Sequence, residues 1–364
     1  MSKIVIDARE LRTSTGRYVE RLLYYLQDID HVNDYIVLLK PQDIPGWRTK
    51  NEHFMAVASP HKEFSFAEQI AFKKQLDELK PDLVHFSMVQ QPVLYRGKVV
   101  TTIHDLTTMR FLNPDKNPVV FKFKQQIYKA VIRRAARKSA AIMTPTQFVK
   151  ADVIAFTSVE PRKITVTLEA ADPITAPPAP LEYLQKADFI MYVGRPTPHK
   201  NLERLIDAFA ALQAQRPALR LVLAGKTDAN YERIADKVTA RGLKNVVFTD
   251  YITDGQLRWL YENCAAYVFP SLSEGFGLPG VEAMQHGAPV VSSNASCLPE
   301  VYGDAAHYFD PTNTQAMADA INEVLTDVDL RKKLIAAGHL RAASYSWRRL
   351  AEQTLAIYNK VLEN

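Results

Sequence analysis

The sequence contains little cysteine and no long apolar run. Only Cys264 and Cys297 occur among 364 residues, which excludes a disulfide-stapled scaffold, and their spacing fits no metal-ligand pattern. No apolar stretch reaches the roughly 18 residues that a transmembrane helix needs. We therefore expect a globular protein that is not integral to a membrane, with both cysteines as buried thiols in a reducing compartment.

The first residues lack the features of a secretory signal. Met1 leads directly into the β-type run 3–7, without the charged region, apolar stretch and small-residue cleavage site of a signal peptide. This pattern predicts a cytoplasmic protein. The length predicts two or three domains at about 150 residues each.

Charge is distributed unevenly along the chain. Residues 1–175 carry 26 Lys and Arg against 19 Asp and Glu, a net +7, whereas the remainder carries −2. The most basic part is the amphipathic segment 121–138, which is either a helix with solvated Lys and Arg or a helix that docks on anionic lipid headgroups. We expect the first half to meet an anionic acceptor or membrane surface. Nucleic acid is not an expected partner, because no recognised binding module accompanies the charge.

Short apolar, β-branched runs alternate with amphipathic segments. The runs predict strands at 3–7, 35–39, 54–57, 83–86, 98–103, 141–144, 189–194, 219–225, 245–248, 266–270 and 289–293, and the amphipathic segments predict helices at 18–26, 202–213, 231–241 and 316–325. Buried strands separated by helices are typical of parallel βαβ units with both sheet faces covered.

A proline-rich stretch interrupts this alternation. Four prolines fall within 173–180, and they cannot continue a helix or a central strand. The sequence thus predicts an α/β protein of two doubly wound domains, 1–173 and 181–346, with 173–180 as the linker. Ligands bind at the carboxyl ends of the strands in such sheets, so we expect a cleft between the two domains.

The most informative segment is 270–284, which follows a predicted strand and opens a helix near Gly280. Gly275 and Gly277 let a backbone approach a ligand closely, and a helix N-terminus favours an anionic oxygen. Two carboxylates, Glu274 and Glu282, flank the loop with seven residues between them. Carboxylates repel phosphate unless they accept hydrogen bonds from hydroxyls. The pattern therefore indicates a ligand with phosphate between hydroxylated rings, which is a nucleotide sugar.

A dinucleotide-binding alternative has to be weighed, because residues 275–280 also match G-x-G-x-x-G. That fingerprint needs an acidic residue at the end of the next strand. Here the next predicted strand ends at Ser292 and Ser293, and Pro279 stands where the fingerprint helix is already running. Nicotinamide binding is disfavoured on both grounds.

The segment around Glu274 and Glu282 resembles the EX7E signature of retaining GT-B glycosyltransferases of family GT4. Further segments in the family's order are 192–201, 223–225, 287–291 and 298–305, so the resemblance covers nearly the whole chain. It implies a GT-B fold, in which two Rossmann-like domains face each other across a cleft. The closing segment 347–364 resembles the family's last helix, which returns to the first domain.

The resemblance also implies roles for residues of the second domain. Arg195 and Lys200 would neutralise the donor diphosphate, a charge match that leaves no need for a divalent metal or any other cofactor. Glu274 would hold hydroxyls of the transferred sugar, and Glu282 would accept both ribose hydroxyls. The remaining donor-binding candidates are the main chain of Gly275, Phe276, Gly277 and Leu278, together with Lys226 and Tyr251.

On the first-domain side, the candidates follow the first and fifth predicted strands. His104 ends a central strand, and in similar transferases this histidine contacts the donor sugar. Asp105 is a candidate to orient His104 or to line the acceptor site. The loop after the first strand contributes Gly16, where the family has a glycine-rich approach to the diphosphate. It also contributes Arg9 and Arg17, either as acceptor or phosphate contacts or as structural residues.

These inferences predict a metal-independent, retaining hexosyltransferase. Mannose from GDP-mannose is the favoured donor group, with a UDP-sugar as the next candidate, and the acceptor is a hydroxyl of a glycan or of a lipid-linked glycan. The expected location is the cytoplasm, with peripheral contact at the inner face of the cytoplasmic membrane. Two alternatives stay open: a nucleotide-sugar epimerase on the same fold, and a non-catalytic subunit that binds a nucleotide sugar.

Overall fold

The computed structural model describes residues 1–13, 16–63, 65–111 and 118–363, and for 118–123 the backbone only. These residues form two compact units. The first comprises the described parts of Met1–Met109, 118–169 and 346–363, and the second comprises 110–111 and Ala170–Tyr345. The proline-rich stretch therefore belongs to the second unit.

The first unit contains a parallel sheet with the strand order β3-β2-β1-β4-β5-β6-β7. Its strands are β1 Lys3–Asp7, β2 Asp34–Leu39, β3 Phe54–Ala58, β4 Leu83–Phe86, β5 Val99–Thr102, β6 Ala141–Thr144 and β7 Ile164–Val166. In the centre, Val5 of β1 is paired with Ile36 of β2 and Val84 of β4. The order reverses direction between β1 and β4, which is the position where doubly wound sheets bind ligands.

The second unit repeats this arrangement, with the parallel order β10-β9-β8-β11-β12-β13. Its strands are β8 Phe189–Val193, β9 Arg220–Ala224, β10 Val246–Phe248, β11 Ala266–Phe269, β12 Val290–Ser293 and β13 Ala306–Phe309. The order reverses between the neighbouring strands β8 and β11. Arg195, Lys200 and the predicted donor-binding segment 274–282 follow these two strands, whereas the candidates Lys226 and Tyr251 follow β9 and β10.

Helices and short turns connect the strands of each sheet. The helices are α1 Gly16–Ile29, α2 Lys73–Leu79, α3 Thr107–Arg110, α4 Pro118–Lys138, α5 Gln147–Thr157, α6 Leu202–Gln215, α7 Ala229–Ala240, α8 Asp254–Asn263, α9 Leu278–Gln285, α10 Leu298–Tyr302, α11 Thr314–Thr326, α12 Val328–Ala343 and α13 Trp347–Glu363. Single turns lie at Pro41–Gly46, Glu68–Phe72, Pro161–Lys163, Glu182–Leu184, Pro198–Lys200 and Gly303–Ala305. None of the described helices is long and apolar enough to span a bilayer.

The last helix is part of the first unit. Helix α13 packs on α1 and buries Trp347, Leu350 and Tyr358. The Tyr358 hydroxyl lies 2.6 Å from Nδ1 of the fully buried His85 on β4. The chain thus finishes in the unit in which it begins.

The two doubly wound parallel sheets are confirmed, as are all eleven predicted strands to within a few residues. Strands β7 and β13 were not predicted, nor were helices α2, α3, α5, α8, α10 and α12. Strand β7 has only three residues and lies at a sheet edge, so its apolar run is too short to stand out. Both cysteines are buried free thiols, as expected.

The proline-rich stretch lies along the second unit. The Ile174 amide donates to Nε2 of His286 at 3.0 Å, and the Ala179 amide donates to the Gly255 carbonyl at 2.9 Å. A side chain at Gly255 would collide with the Pro177 carbonyl. The linker predicted at 173–180 is therefore held by α8 and the end of α9.

Candidate active site

The second unit brings Lys200 and Glu274 together at the reversal point of its sheet. Lys200 closes the turn Pro198–Lys200 after β8, and Glu274 lies in the loop after β11. Lys200 Nζ donates to both carboxylate oxygens of Glu274, at 2.7 and 3.0 Å. The two side chains are 20% and 11% exposed. Reduced solvent screening strengthens this ion pair relative to a surface pair, and it holds both charges at the sheet edge.

Asn201 holds the Lys200 turn in place. It adopts a left-handed conformation with φ 61°, and its side-chain amide donates to the carbonyls of Pro270 and Pro311 at 3.0 and 2.9 Å. The Leu272 amide also donates to the His199 carbonyl at 2.7 Å. These bonds join the loops after β8 and β11, so the distance between Lys200 and Glu274 is set by the backbone.

A second clamp acts on the main chain of Glu274. Its amide donates to the Ser296 hydroxyl at 3.1 Å, and the Cys297 thiol donates to its carbonyl at 3.3 Å. Ser296 has φ 55°, an uncommon conformation for a residue with a side chain. Burial, with the negative charge of Glu274, raises the pKa of Cys297 well above its usual value, so the thiol keeps the proton that it donates.

The glycine-rich loop is shaped by the protein's own Tyr302. Helix α9 begins at Leu278, two residues before the expected start, and tolerates Pro279 in its first turn. Gly277 has φ 88°, and its carbonyl accepts a hydrogen bond from the Tyr302 hydroxyl at 2.7 Å. A Cβ at Gly277 would lie 2.5 Å from that hydroxyl, and one at Gly280 would also collide with it. Tyr302 therefore leaves no room for a side chain at Gly277 or Gly280. From the sequence alone, Gly277 was expected to make room for a ligand instead.

Phe276 contributes no side chain to a ligand site. It is 3% exposed, and its ring packs edge-on against Tyr345 with 5.2 Å between centroids. Only its main chain remains a candidate donor contact, together with the main chain of Gly275 and Leu278 at the helix N-terminus. An N-terminus carries partial positive charge and suits a phosphate oxygen.

Glu282 lies one turn into α9. It is 6% exposed, and Oε2 accepts a hydrogen bond from the Tyr261 hydroxyl at 3.4 Å. The two carboxylates predicted from the sequence therefore stand at opposite ends of one loop, Glu274 before the amides and Glu282 after them. Of these two carboxylates, Glu274 is the one that forms an ion pair with Lys200.

Arg195 is held by an acidic residue that the sequence analysis missed. Its Nε donates to Asp228 Oδ2 at 2.8 Å, and its side chain is 72% exposed. Asp228 also caps α7, accepting from the Asn230 and Tyr231 amides. Burial opposes its charge, but the bonds from Arg195 and these amides lower the pKa of Asp228. A cap signal, Asp before a helix, was present in the sequence. Lys226 and Tyr251 are both exposed.

In the first unit, His104 is oriented by Glu169 rather than by Asp105. Its Nδ1 lies 3.0 Å from Glu169 Oε1, and its Nε2 lies 3.0 Å from the Ser87 carbonyl oxygen. Asp105 instead accepts from the Thr107 amide at 2.7 Å and starts α3. The prediction that Asp105 orients His104 is wrong, because its short side chain accepts a hydrogen bond from a main-chain amide two residues along the chain. Strand β5 ends at Thr102, so His104 lies two residues beyond it.

Arg9 is a structural residue, which excludes the other role expected for it, an acceptor or phosphate contact. It is 1% exposed, and its guanidinium donates to Asp7 at 2.7 and 2.8 Å, to Glu68 at 3.0 Å and to the His61 carbonyl at 2.8 Å. Its carbon lies 3.8 Å from the Phe72 ring centroid. Four of its five N–H donors are bonded within the protein, and its burial keeps the side chain from a ligand.

The other two candidates near the loop after β1 are Gly16 and Arg17. Gly16 begins α1, and a side chain there would collide with the Leu11 carbonyl. Arg17 is exposed. Residues 14 and 15 of this predicted loop lie outside the described residues.

The basic segment 121–138 lies in helix α4, and part of its charge is used within the unit. Arg134 Nε donates to the Val93 carbonyl and Lys138 Nζ to the Pro92 carbonyl, both at 2.9 Å. Burial, with the nearby Arg134 charge, lowers the pKa of Lys138 to about 8. Lys124 and Arg137 are exposed. The side chains of 121–123 are outside the described part of this helix.

Within the residues whose placement is described, no group of three or more His, Cys, Asp or Glu side chains could hold a metal ion.

Comparisons with known proteins identify the family. Residues 15–173 match "Glycosyltransferase Family 4", and residues 179–341 match "Glycosyl transferases group 1". The chain is 30% identical over 273 residues to O-antigen chain mannosyltransferase B of Escherichia coli, an alignment that covers 72% of this chain and 70% of that protein. The chain therefore belongs to glycosyltransferase family 4 and is a glycosyltransferase with a GT-B fold.

Other relatives match over a smaller share. Serotype-specific mannosyltransferase WbdA of Escherichia coli is 35% identical over 187 residues, which cover 50% of this chain but 23% of WbdA. MMP alpha-(1->4)-mannosyltransferase of Mycolicibacterium hassiacum is 28% identical over 236 residues, covering 63% and 56% of the two chains.

Solved structures with this fold span the whole chain. Sucrose-phosphate synthase from Thermosynechococcus elongatus superposes with a TM-score of 0.80 at 18% identity and covers 100% of both chains. HepE of Anabaena, in complex with UDP and glucose, superposes with a TM-score of 0.74 at 16% identity, covering 99% of this chain and 100% of HepE. At these identities the likeness concerns the fold.

Proposed function

We propose that this glycosyltransferase moves mannose from GDP-mannose to a hydroxyl of a glycan or lipid-linked glycan, with retention of anomeric configuration and without a metal ion. The observation that carries the proposal is the Lys200–Glu274 pair beside the N-terminus of α9. Three relatives whose names specify mannosyl transfer support the choice of sugar, and two of them concern O-antigen chains or serotype.

Positive charge at one edge of the second sheet suits a diphosphate. Lys200 supplies a point charge, Arg195 a planar fork, and the amides at the start of α9 a set of aligned dipoles. The diphosphate gains charge as the bond to the sugar breaks, so these groups stabilise the transition state more than the bound substrate. This is the role that a divalent cation plays in metal-dependent transferases.

The carboxylates recognise hydroxyls on either side of that charge. Glu274 accepts from hydroxyls of the transferred sugar, and Glu282 accepts from the ribose hydroxyls. Before the donor binds, Lys200 and Glu274 neutralise each other at 2.7 Å. Donor binding gives Lys200 a phosphate and Glu274 hydroxyl donors, so each partly buried charge keeps a partner in both states.

The reaction needs no protein nucleophile. The bond from the anomeric carbon to the diphosphate oxygen breaks, and its electron pair leaves with the diphosphate. The acceptor hydroxyl attacks the same face and forms the new glycosidic bond, while a phosphate oxygen of the leaving group takes the hydroxyl proton. Glu274 and His104 hold the oxocarbenium-like sugar during this exchange.

A donor panel tests this assignment. Ligand that binds the folded state raises its apparent stability by about 2.7 kcal/mol at 100 times Kd, a shift of roughly 5–10 °C for a domain of this size. We expect the largest thermal shift with GDP-mannose among GDP, UDP, ADP and TDP sugars. Glu282→Gln should abolish most of that shift, whereas Glu323→Gln, on a solvent-exposed helix position paired with His307, should leave it unchanged.

Turnover distinguishes a transferase from the alternatives. Incubation of GDP-mannose without acceptor should leave the sugar unchanged, whereas an epimerase would form a new isomer. Addition of mannan-type oligosaccharide or polyprenyl-linked glycan acceptors should release GDP and yield an α-linked product. Donor binding without GDP release on any acceptor would instead indicate a non-catalytic subunit.

We also propose that the exposed basic residues of α4 contact an anionic membrane surface that carries the acceptor. Lys124 and Arg137 are exposed, and the first half of the chain carries the whole positive excess. The protein should co-sediment with phosphatidylglycerol vesicles and not with phosphatidylcholine vesicles. The double variant Lys124→Glu, Arg137→Glu should bind phosphatidylglycerol vesicles more weakly. Equal sedimentation with both vesicle types would contradict the proposal.

A further inference from the structure

We propose that Glu169 is a positioning residue of the transfer reaction, which locks the His104 ring in one orientation through its Nδ1. The proposal rests on the function proposed above, in which His104 contacts the donor sugar. Glu169 follows β7 and is the last residue of its segment of the first unit, 65 positions from His104 in the sequence.

Both ring nitrogens of His104 face oxygen atoms. Nε2 lies 3.0 Å from the Ser87 carbonyl oxygen, which can only accept, so this nitrogen carries a hydrogen. Nδ1 lies 3.0 Å from Glu169 Oε1, and this bond needs one more hydrogen, carried by either atom. The pair therefore holds two hydrogens between the ring and the carboxyl group and is formally neutral.

This bonding excludes one chemical role and favours another. Neither nitrogen offers a free lone pair to an acceptor hydroxyl, so His104 cannot act as the general base unless one of the two bonds breaks. A ring held at both nitrogens also cannot rotate. Its exposed edge then presents a fixed surface to the sugar, which is the condition for binding a transition state in one geometry.

A third contact holds the face of the ring. Tyr18 meets His104 edge-on, with 4.6 Å between centroids and 78° between planes. The Tyr18 hydroxyl lies 2.8 Å from Thr102 Oγ1, which lies 2.9 Å from Nε2 of the buried His85. Burial raises the pKa of Tyr18, so it stays protonated and keeps this bond. His104 thus rests on a preformed network rather than on one neighbour.

Burial of the Glu169 carboxyl group lowers the stability of the folded protein, so its position suggests a role in holding the His104 ring. Its side chain is 7% exposed, and among the described residues His104 is the partner that the structure gives its carboxyl oxygens. A carboxylate with a single partner recovers only part of its lost hydration, and an apolar residue of similar size would pack there at lower cost.

The experiment compares Glu169→Ala and Glu169→Gln with His104→Ala and with the double variant. Glu169→Ala should lower kcat about 10- to 100-fold and leave the Kd of GDP unchanged, because GDP lacks the sugar. Glu169→Gln can donate its amide to Nδ1 while Nε2 keeps its bond to Ser87, so kcat should return to within a few fold of the wild type. Asp30→Asn, which changes a buried carboxylate of the same unit bonded to Tyr35 and Asn33, is the matched control with unchanged kcat.

The double variant and the ring protons separate positioning from general stability. Glu169→Ala should add nothing to the loss caused by His104→Ala, since both remove the same ring geometry. In wild-type protein, NMR should show a slowly exchanging proton in the hydrogen bond at His104 Nδ1, and Glu169→Ala should abolish it. If Glu169→Ala unfolds the protein, Glu169→Gln and the NMR signal still decide.

The outcomes distinguish failure of this inference from failure of the proposed function. A wild-type kcat in Glu169→Ala, or additive losses in the double variant, with His104→Ala strongly impaired, would overturn the positioning role and leave the proposed function intact. A wild-type kcat in His104→Ala would instead remove His104 from the proposed mechanism.

Discussion

Replacing Lys200 with alanine isolates the charge that the proposed mechanism needs most. The ammonium group bonds to both oxygens of Glu274 at 2.7 and 3.0 Å, with 20% of its side chain exposed. In the proposed reaction it also faces the departing diphosphate. The substitution therefore removes one contact present in the resting protein and one that strengthens as the sugar bond breaks.

The two losses have different sizes and different readouts. Removing a preorganised donor to charge that develops in the transition state costs about 3–4 kcal/mol, which lowers kcat roughly 100- to 1,000-fold. The loss of folding stability is smaller. The Glu274 side chain keeps 11% exposure to water, and an unpaired buried polar group costs about 1–3 kcal/mol. We expect a folded protein with a moderately lower melting temperature and nearly abolished transfer.

Lys237 provides a matched control within the same unit. Its Nζ donates to Asp207 at 2.8 Å, and its side chain is 25% exposed, so the pair resembles Lys200–Glu274 in length and burial. Initial rates of GDP release in the presence of acceptor should fall for Lys200→Ala and stay near the wild-type rate for Lys237→Ala. Equal rates in the two variants, or a Lys200→Ala rate within threefold of the wild type, would refute the assignment of Lys200 to the diphosphate.

Three further predictions concern the loop, a buried histidine and the metal. Gly277→Ala should destabilise the second unit by about 1–3 kcal/mol, because the residue has a φ of 88° and the new methyl group would collide with Tyr302. Gly287→Ala should cost less, because φ is 76° there but the nearest atom to the new Cβ would be 3.5 Å away. Thermal melts of the two variants compare these effects. Burial, with the His104 charge, lowers the pKa of His85 to about 3, below about 6.5 in the unfolded chain. As pH falls, the unfolded chain therefore binds a proton at His85 before the folded protein does. The free energy of unfolding should drop as pH falls from 6.5 towards 3, by about 2 kcal/mol at pH 5. In His85→Gln, the free energy of unfolding measured in urea should change less between pH 7 and pH 5. Transfer should persist in EDTA, and an absolute Mn²⁺ requirement would contradict the metal-free mechanism.

Local sequence patterns were sufficient for the architecture and for locating the loop that carries Glu274 and Glu282. Continuous apolar runs separated by amphipathic segments fit only parallel strands with both faces covered, and the eleven predicted strands are present. The carboxylate spacing from Glu274 to Glu282 is likewise a local property, because both residues lie in one loop–helix segment. Such information is contained in neighbouring residues and needs no knowledge of packing.

Contacts between distant residues were beyond sequence reasoning. Arg9 was equally compatible with a phosphate contact and with a structural role, and Glu68, 59 positions away, completes the buried structural one. Asp105 looked like the partner of His104, yet Glu169 holds that place from 65 positions away. Sequence order carries no measure of which side chains converge after folding, so the nearest residue of suitable chemistry was chosen.

Chemical types and local spacing thus made this chain recognisable as a two-sheet glycosyltransferase of family 4. Tertiary packing decided which charges are spent inside the protein and which stand ready for a ligand. The physical reason is that the partner of a charge is set by which strands and helices pack together, and separation along the sequence does not record this. Lys200 and Glu274 meet because β8 and β11 are adjacent in the sheet, although 74 residues separate them.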